Sequence, residues 1–182
     1  MRNLKDKTIR LLQGGLWMLL AFMGSVALLF MINRLPSVIH SDYAAKFESI
    51  DAAKRFSGME TIAVPAYFPE GLSWPPSMIV AEKRPFKTLA MEFRDRAGKD
   101  SLIVIQSSQH DNIVSFQRIR MSEINQESEY LLKGRKALLR AGLCDNGKRC
   151  SSMSWQDADS STLILFLAGP IELIKIAEST VR

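Results

Sequence analysis

Few side chains in this sequence have the types and spacing that catalysis or metal binding needs. His40 and His110 stand alone, and an isolated histidine beside a loop is more often a surface residue than a base or a ligand. Asp157 and Asp159 are close together, but they fall in a turn-like stretch that needs no function. The chain has no Gly-x-Ser-x-Gly, no His-Glu-x-x-His and no phosphate-binding glycine loop. We therefore expect no enzymatic activity, no metal and no cofactor.

The two cysteines, Cys144 and Cys150, flank a turn with the sequence DNGKR. The Asn146-Gly147 pair favours a two-residue hairpin loop, and in that register the two cysteine side chains point to opposite faces. A three-residue loop with a bulge places them on the same face. The spacing is not that of a Cys-x-x-Cys motif, and no histidine is nearby to complete a metal site. We predict a Cys144–Cys150 disulfide, formed in an oxidising compartment.

One stretch, residues 14–32, contains no charged side chain. At about 1.5 Å per residue, its roughly 19 residues span about 28 Å as a helix, close to the ~30 Å thickness of the hydrocarbon core. Trp17 lies where an interfacial aromatic residue is expected. We predict one transmembrane helix over residues 14–32, which makes the lipid bilayer the first partner.

The charges around this stretch indicate its orientation. Four basic residues precede it and one follows closely: Arg2, Lys5, Lys7, Arg10 and Arg34. By the positive-inside rule, the short basic tail of residues 1–13 lies in the cytoplasm and the rest of the chain lies outside it. The predicted location is the inner (cytoplasmic) membrane, with a periplasmic or extracytoplasmic domain.

A cleaved signal peptide is the alternative, because Ser25, Val26 and Ala27 form a small-x-small cleavage site. Cleavage there would leave the apolar residues 28–32 as the new N-terminus, and no comparable site follows the stretch. We therefore favour an uncleaved signal anchor. Ala21, Gly24 and Ser25 also form a small-residue patch that would let the helix of another membrane protein approach.

Residues 33–58 are predicted to form an amphipathic juxtamembrane helix or linker. Tyr43, Phe47, Ile50, Ala53 and Phe56 recur at helical spacing, with Pro36 or Ser41 as its start and Gly58 as its stop. The helix is either a connector that packs on the following domain or a stalk that contacts a neighbouring subunit. The stalk interpretation makes Phe47 and Ile50 candidate partner contacts.

Residues 59–182 are predicted to form one extracytoplasmic domain. Short apolar or alternating runs broken by proline and glycine are typical of strands, and Pro170 opens a C-terminal helix. Residues 102–105 are apolar on both faces, which predicts a central strand. We expect an α+β fold, in which an antiparallel sheet of five to seven strands has helices packed on one face. The apolar residues of 109–127 do not keep a single period, so a loop with a short helix or edge strand is expected there.

Trp74 lies in a proline-rich, extended segment over residues 64–76. It is either an exposed docking anchor, and so a candidate partner contact, or a cover over the edge of the domain's own core. The net charge of +5 is modest and scattered, and no basic run is interleaved with aromatics. We expect no nucleic acid and no small-molecule substrate as partners.

Several segments together resemble a family of bacterial extracytoplasmic domains of unknown function. The matching segments are residues 67–72, the strand at Phe93, residues 102–106, the Lys-Gly-Arg-Lys-Ala run at 133–137, Ser154-Trp155 and the closing ELIKIAEST. Such domains often follow the single span of anti-sigma factors, although the sigma-binding part of those proteins is absent here. The resemblance implies an envelope domain that senses or binds something and catalyses no reaction.

Two functions fit these observations. The chain is either a single-pass envelope protein whose domain binds or senses a partner, or an accessory subunit of a larger respiratory or transport complex. In the second case it would contribute one helix and a periplasmic covering domain. Copurification in mild detergent separates the two, because stoichiometric partners favour the subunit and a free monomer or homodimer favours the sensor.

The charge asymmetry predicts the topology of the chain. A reporter enzyme fused after Arg182 should be active only outside the cytoplasm, and the mature protein should retain residues 1–32. Reporter activity and N-terminal sequencing measure the two parts. A mature N-terminus at Leu28 would rule out the anchor.

Overall fold

The computed structural model describes Met18 and residues 22–25, 44–108 and 119–181. Met18 and residues 22–25 are helical, but most of the predicted membrane span at 14–32 lies outside the described residues, as does the tail at 1–13. Among the residues described, no helix is both long and apolar enough to span a bilayer. The chain divides into compact units at residues 1–42 and 43–182.

The second unit contains one antiparallel sheet whose eight described strands are arranged as two meanders. The strand order is β1-β2-β3-β4-β8-β7-β6-β5, so that β4 and β8 join the two halves. The antiparallel sheet is confirmed, but the predicted number of five to seven strands is too low. The strands are β1 (Ala44–Phe47), β2 (Met78–Glu82), β3 (Thr88–Arg94), β4 (Asp100–Ser107), β5 (Met121–Leu132), β6 (Arg135–Cys144), β7 (Arg149–Gln156) and β8 (Ser161–Phe166).

Two helices, α1 (Ile50–Ser57) and α2 (Pro170–Thr180), pack on the same face of this sheet. Ala53 of α1 and Ile176 of α2 belong to one buried cluster with Phe93 of β3 and Ile164 of β8. The other face has smaller apolar clusters around Ile103, Ile105 and Leu165, and Ile119 packs against both. Helices on one face of an antiparallel sheet are the expected α+β arrangement.

Within residues 33–58, predicted as an amphipathic helix or linker, the helical interpretation is wrong over residues 44–47. Ala44–Phe47 form β1, in which Ala45 pairs with Ala81 and Phe47 with Ile79. The helix begins only after Ser49, whose side chain accepts a hydrogen bond from the Ala52 N–H at 3.2 Å. Phe47 fits both the two-residue period of a strand and the helical spacing of the residues that follow it. The apolar pattern alone could not separate the two, and the compact unit therefore starts before residue 59.

Residues 109–127, for which a loop with a short helix or edge strand was expected, include the start of the longest described strand. Residues 121–127 belong to β5, and residues 109–118 lie outside the described part of the chain. Most β5 side chains are exposed, so the strand needs no apolar alternation to fold, and its sequence gives only a weak strand signal. The edge-strand alternative is thus the correct one for residues 121–127.

The β6–β7 hairpin explains how Cys144 and Cys150 form their disulfide. The loop has three residues: the Cys144 N–H donates to the Lys148 carbonyl at 2.9 Å, and Gly147 adopts a φ of 73°. Cys150 lies opposite Gly142, so the two cysteines are diagonal neighbours on one face, with Cα atoms 5.8 Å apart. The predicted bridge across a three-residue loop is confirmed.

Gly142 is required by the close approach of β5. The pairing of β5 with β6 shifts twice, between Met121 and Glu123 and between Ile124 and Gln126. These bulges bring the Glu123 carbonyl oxygen to the place that a Cβ on Gly142 would occupy. Glycine is the residue that permits such a backbone approach.

Gly142→Ala should therefore destabilise the protein by about 1–3 kcal/mol, the usual cost of overpacking. Denaturant unfolding of the disulfide-bonded protein measures the difference. Gly169→Ala is the matched control, because a Cβ at Gly169 meets no atom within 4 Å. Equal losses of stability in the two variants would contradict the steric explanation.

Candidate binding surface

The described residues contain no evident catalytic group. No cluster of three or more His, Cys, Asp and Glu side chains capable of holding a metal ion occurs among them. Asp157 forms an ion pair with Arg135, with 2.8 Å between the carboxylate oxygen and Nε, so it has a structural partner in its turn. His40 and His110 lie outside the described residues.

The segment around Trp74 is fixed to β3 by a serine on each side. The Ser73 N–H and hydroxyl both donate to the Arg94 carbonyl, at 2.9 and 3.0 Å. The Ser77 N–H and hydroxyl donate in the same way to the Glu92 carbonyl, at 2.8 and 3.1 Å. Trp74 and two prolines lie between these anchors, with a cis peptide between Trp74 and Pro75. The position of the indole is thus set by four backbone-directed hydrogen bonds.

The Trp74 ring is 55% exposed and also packs on two phenylalanines. Its centroid is 5.4 Å from that of Phe68 and 6.0 Å from that of Phe93, and the Phe68 and Phe93 centroids are 5.1 Å apart. Phe93 is completely buried, so the cluster connects the surface to the core. A large ring held rigidly at the surface loses little side-chain entropy on binding, which is a property of binding hot spots.

Tyr67, which precedes Phe68 in the chain, makes polar contacts with α2. Its hydroxyl donates to Glu172 Oε2 at 2.8 Å, and Lys175 Nζ donates to Glu172 Oε1 at 2.9 Å. The backbone N–H groups of Ala66 and Tyr67 donate to the Ser179 hydroxyl at 3.2 and 3.0 Å. These contacts hold the segment before Trp74 against α2.

The charges around Tyr67 shift three pKa values. The hydrogen bond to Glu172 raises the pKa of Tyr67 above its ordinary value of 10.0. The hydrogen bonds from Lys175 and from Tyr67 lower the pKa of Glu172 below 4.5, and the bond to Glu172 raises the pKa of Lys175. Tyr67 therefore stays protonated and acts as a hydrogen-bond donor throughout the neutral range.

We call Tyr67, Phe68 and Trp74 the aromatic surface. Leu72, close by in the chain, helps to line a hollow of about 300 Å³ together with Pro69 and Phe166. The arrangement offers apolar contact area with a polar rim, which suits an apolar side chain of a protein partner.

The other predicted contact residues are placed differently. Phe47 and Ile50 pack against the domain's own core, and the Phe47 ring lies 5.0 Å from that of Phe56. This is the packing expected of a connector and not of a free stalk. Ala21 lies outside the described residues, whereas Gly24 and Ser25 are helical. The small-residue patch therefore stays a prediction.

Sequence reasoning named Trp74 but missed Tyr67 and Phe68 as parts of the same surface. Their partners on α2 and β3 are distant in the chain, and no periodicity links them. The available signal was the density of aromatic residues within the proline-rich segment at 64–76. Comparison with known proteins adds no analogue, since no family model, curated protein or solved structure matches the chain.

The Tyr67 contacts predict a pH-dependent loss of stability in Tyr67→Phe. Glu172 has a lowered pKa in the folded protein, so its contribution is complete above its ordinary value and is lost as the pH falls through the folded value. Tyr67 has a raised pKa, so its contribution is complete below 10.0 and is lost as the pH rises through the folded value.

The difference in unfolding free energy between wild type and Tyr67→Phe should therefore be largest between these two limits and shrink on both sides. Thermal or urea unfolding across the pH range measures it. In a Glu172→Gln background, the loss of unfolding free energy caused by Tyr67→Phe should depend little on pH in the acid range. A difference that is constant over the whole range would mean that the hydroxyl does not act through Glu172.

Proposed function

We propose that this chain is a non-catalytic, membrane-anchored envelope protein whose domain binds a protein partner through the aromatic surface. The observation that carries the proposal is the half-exposed Trp74 ring, which is braced by Phe68 and by the fully buried Phe93. One part of the ring packs on Phe93 and so contributes to the domain's own packing, while the exposed part offers a partner a rigid apolar anchor.

The anchoring and location in this proposal derive from the sequence. The uncharged stretch at 14–32 has the length of a membrane span, and the basic residues before it favour a cytoplasmic N-terminus. The Cys144–Cys150 disulfide is compatible with an oxidising compartment. The resemblance to the extracytoplasmic domains of anti-sigma factors supports a sensing or binding role and remains part of the proposal.

An accessory subunit of a larger membrane complex is the second candidate. The small-residue patch of Ala21, Gly24 and Ser25 favours it, because such a patch allows close packing against another membrane helix. In that case the transmembrane segment would supply the main contact. The aromatic surface would then be a secondary one.

Trp74→Ala tests the proposal directly. It should weaken association with the partner by about thirtyfold or more, the loss typical of a hot-spot residue, and leave most of the domain's thermal stability intact. Phe86→Ala is the matched control, because Phe86 is an exposed aromatic residue, 42% accessible, outside the aromatic surface.

The measurement is copurification of the tagged full-length chain in mild detergent after crosslinking, with quantification of the recovered partner. Equal recovery with Trp74→Ala and Phe86→Ala would contradict a role for the aromatic surface. Stoichiometric partners that depend on Gly24 and not on Trp74 would identify the chain as an accessory subunit.

A further inference from the structure

The β5 strand forms one edge of the sheet and leaves one side of its backbone free among the described residues, where it pairs only with β6. The opposite edge strand, β1, has only four residues, and such short edges are poor templates for pairing. Residues 121–126 of β5 carry the two register shifts described above. From Gln126 to Leu132 the pairing with β6 is regular, so this part of the edge has the geometry to accept another strand.

The backbone groups that point away from the sheet can be assigned. The β5–β6 turn consists of Lys133 and Gly134, with φ of 46° and 87°, which is a type I′ two-residue loop. Its flanking pair, Leu132 and Arg135, therefore exchanges hydrogen bonds. Alternation along the strand then directs the N–H and C=O groups of Glu127, Glu129 and Leu131 outwards.

A bond on the other side of β6 supports this assignment. The Cys144 N–H donates to the Lys148 carbonyl, so the even-numbered β6 residues bond towards β7. The odd-numbered residues, including Arg135 and Ala137, are left to bond towards β5. Their partners Leu132 and Tyr130 thus use their backbone groups within the sheet.

The side chains along this edge carry a distinctive charge pattern. Glu127 forms an ion pair with Arg140, at 2.6 Å between Oε2 and Nε. Glu129 has no cation within 4.0 Å among the described residues, although Lys136 and Arg140 are its diagonal neighbours on the same face of β6. Leu131 is 68% exposed. The edge therefore presents a carboxylate without a direct ion pair next to an exposed apolar side chain.

Two contacts with the end of α2 hold this edge in place. The Tyr130 hydroxyl donates to Glu178 at 2.9 Å, and Lys133 Nζ donates to the Val181 carbonyl at 2.7 Å. The outward-facing groups are consequently preorganised, which lowers the ordering cost of binding.

We propose that residues 126–132 of β5 form a docking edge for an extended segment of a protein partner that adds a strand to the sheet. The outward backbone groups supply the hydrogen bonds of strand addition. The charge pattern requires Lys or Arg opposite Glu129 and an apolar residue opposite Leu131. This surface is separate from the aromatic surface, so the proposal does not depend on the function proposed above.

A second copy of this chain fits the edge less well. Antiparallel self-pairing centred on Ser128 or Glu129 places carboxylates of the two copies opposite each other, which is destabilising. Self-pairing centred on Tyr130 leaves each Glu129 opposite Leu131 and still without a cation. A basic strand can place a cation opposite the Glu129 carboxylate, whereas a second copy of this chain does not.

A peptide-binding experiment tests the proposal with the full-length chain in detergent. The probe is a short fluorescein-labelled peptide of alternating Lys and Val, compared with a Glu and Val peptide and with a backbone N-methylated form of the Lys peptide. Fluorescence anisotropy should show binding of the Lys peptide at least about tenfold tighter than that of either comparison peptide.

Two variants separate backbone pairing from simple charge attraction. Leu131→Pro removes an outward N–H without removing a β5–β6 hydrogen bond, so it should weaken binding of the Lys peptide at least about tenfold with little change in melting temperature. Glu129→Lys should shift the preference to the Glu peptide. The N-methylated peptide makes the same backbone test on the wild-type protein, should Leu131→Pro not fold.

Three results would overturn the proposal. The first is equal binding of the Lys peptide and its N-methylated form, which would show charge attraction without strand addition. The second is an absence of binding of the Lys peptide to the wild-type chain. The third is a wild-type homodimer that Leu131→Pro or Glu129→Lys dissociates, which would show that a second copy occupies the edge.

Discussion

The pairing of β4 with β8 is the interaction on which the rest of this domain depends. It joins the first meander, β1 to β4, to the second, β5 to β8, and makes one sheet from the two. Both strands are apolar on both faces along most of their length, because each contributes to the helix-side core and to the clusters on the opposite face. We call this β4–β8 pairing the seam. Without the seam, α1 would cover only the first meander and α2 would contact mainly the second.

The two helices cover one face of the sheet and leave its margins exposed. Their side is filled by the main core, and its margin carries the aromatic surface, where Phe93 links Trp74 to buried residues. The far margin of the sheet is β5, which contributes little to the core except Tyr130 and Leu132. Exposed side chains of both kinds thus lie at the margins, where exposure causes no loss of core packing.

The sequence predicted the parts of the fold that have strong local signals. Residues 102–105 were expected in a central strand because they are apolar on both faces, and they lie in β4 beside β8. Pro170 marks the start of α2, and Gly58 ends α1 in a left-handed conformation. The disulfide was predicted from the oxidising compartment expected for the two cysteines, against the two-residue loop that Asn146-Gly147 favours, and the three-residue loop removes this conflict.

The remaining parts lacked such signals for physical reasons. The four residues of β1 are too few to establish a period, and Phe47 also fits the helix that follows. Most of β5 is exposed, so a polar sequence is compatible with this edge strand but lacks the apolar alternation by which a strand is recognised. The aromatic surface depends on contacts between Phe68, Trp74 and Phe93, and only the folded chain determines which aromatic residues meet.

The seam also sets the order in which the domain can fold. Each meander needs only contacts between successive strands, whereas β4 and β8 bring together residues far apart in the chain, such as Leu102 and Phe166. Contacts of this kind form late, because the intervening loop must close first. Until then, each half-sheet has a largely apolar strand as an open edge, which is the type most prone to aggregation. The glutamates of β5 lie at the outer margin of the sheet and cannot protect these inner edges, so the chain is most vulnerable to aggregation just before its two halves join.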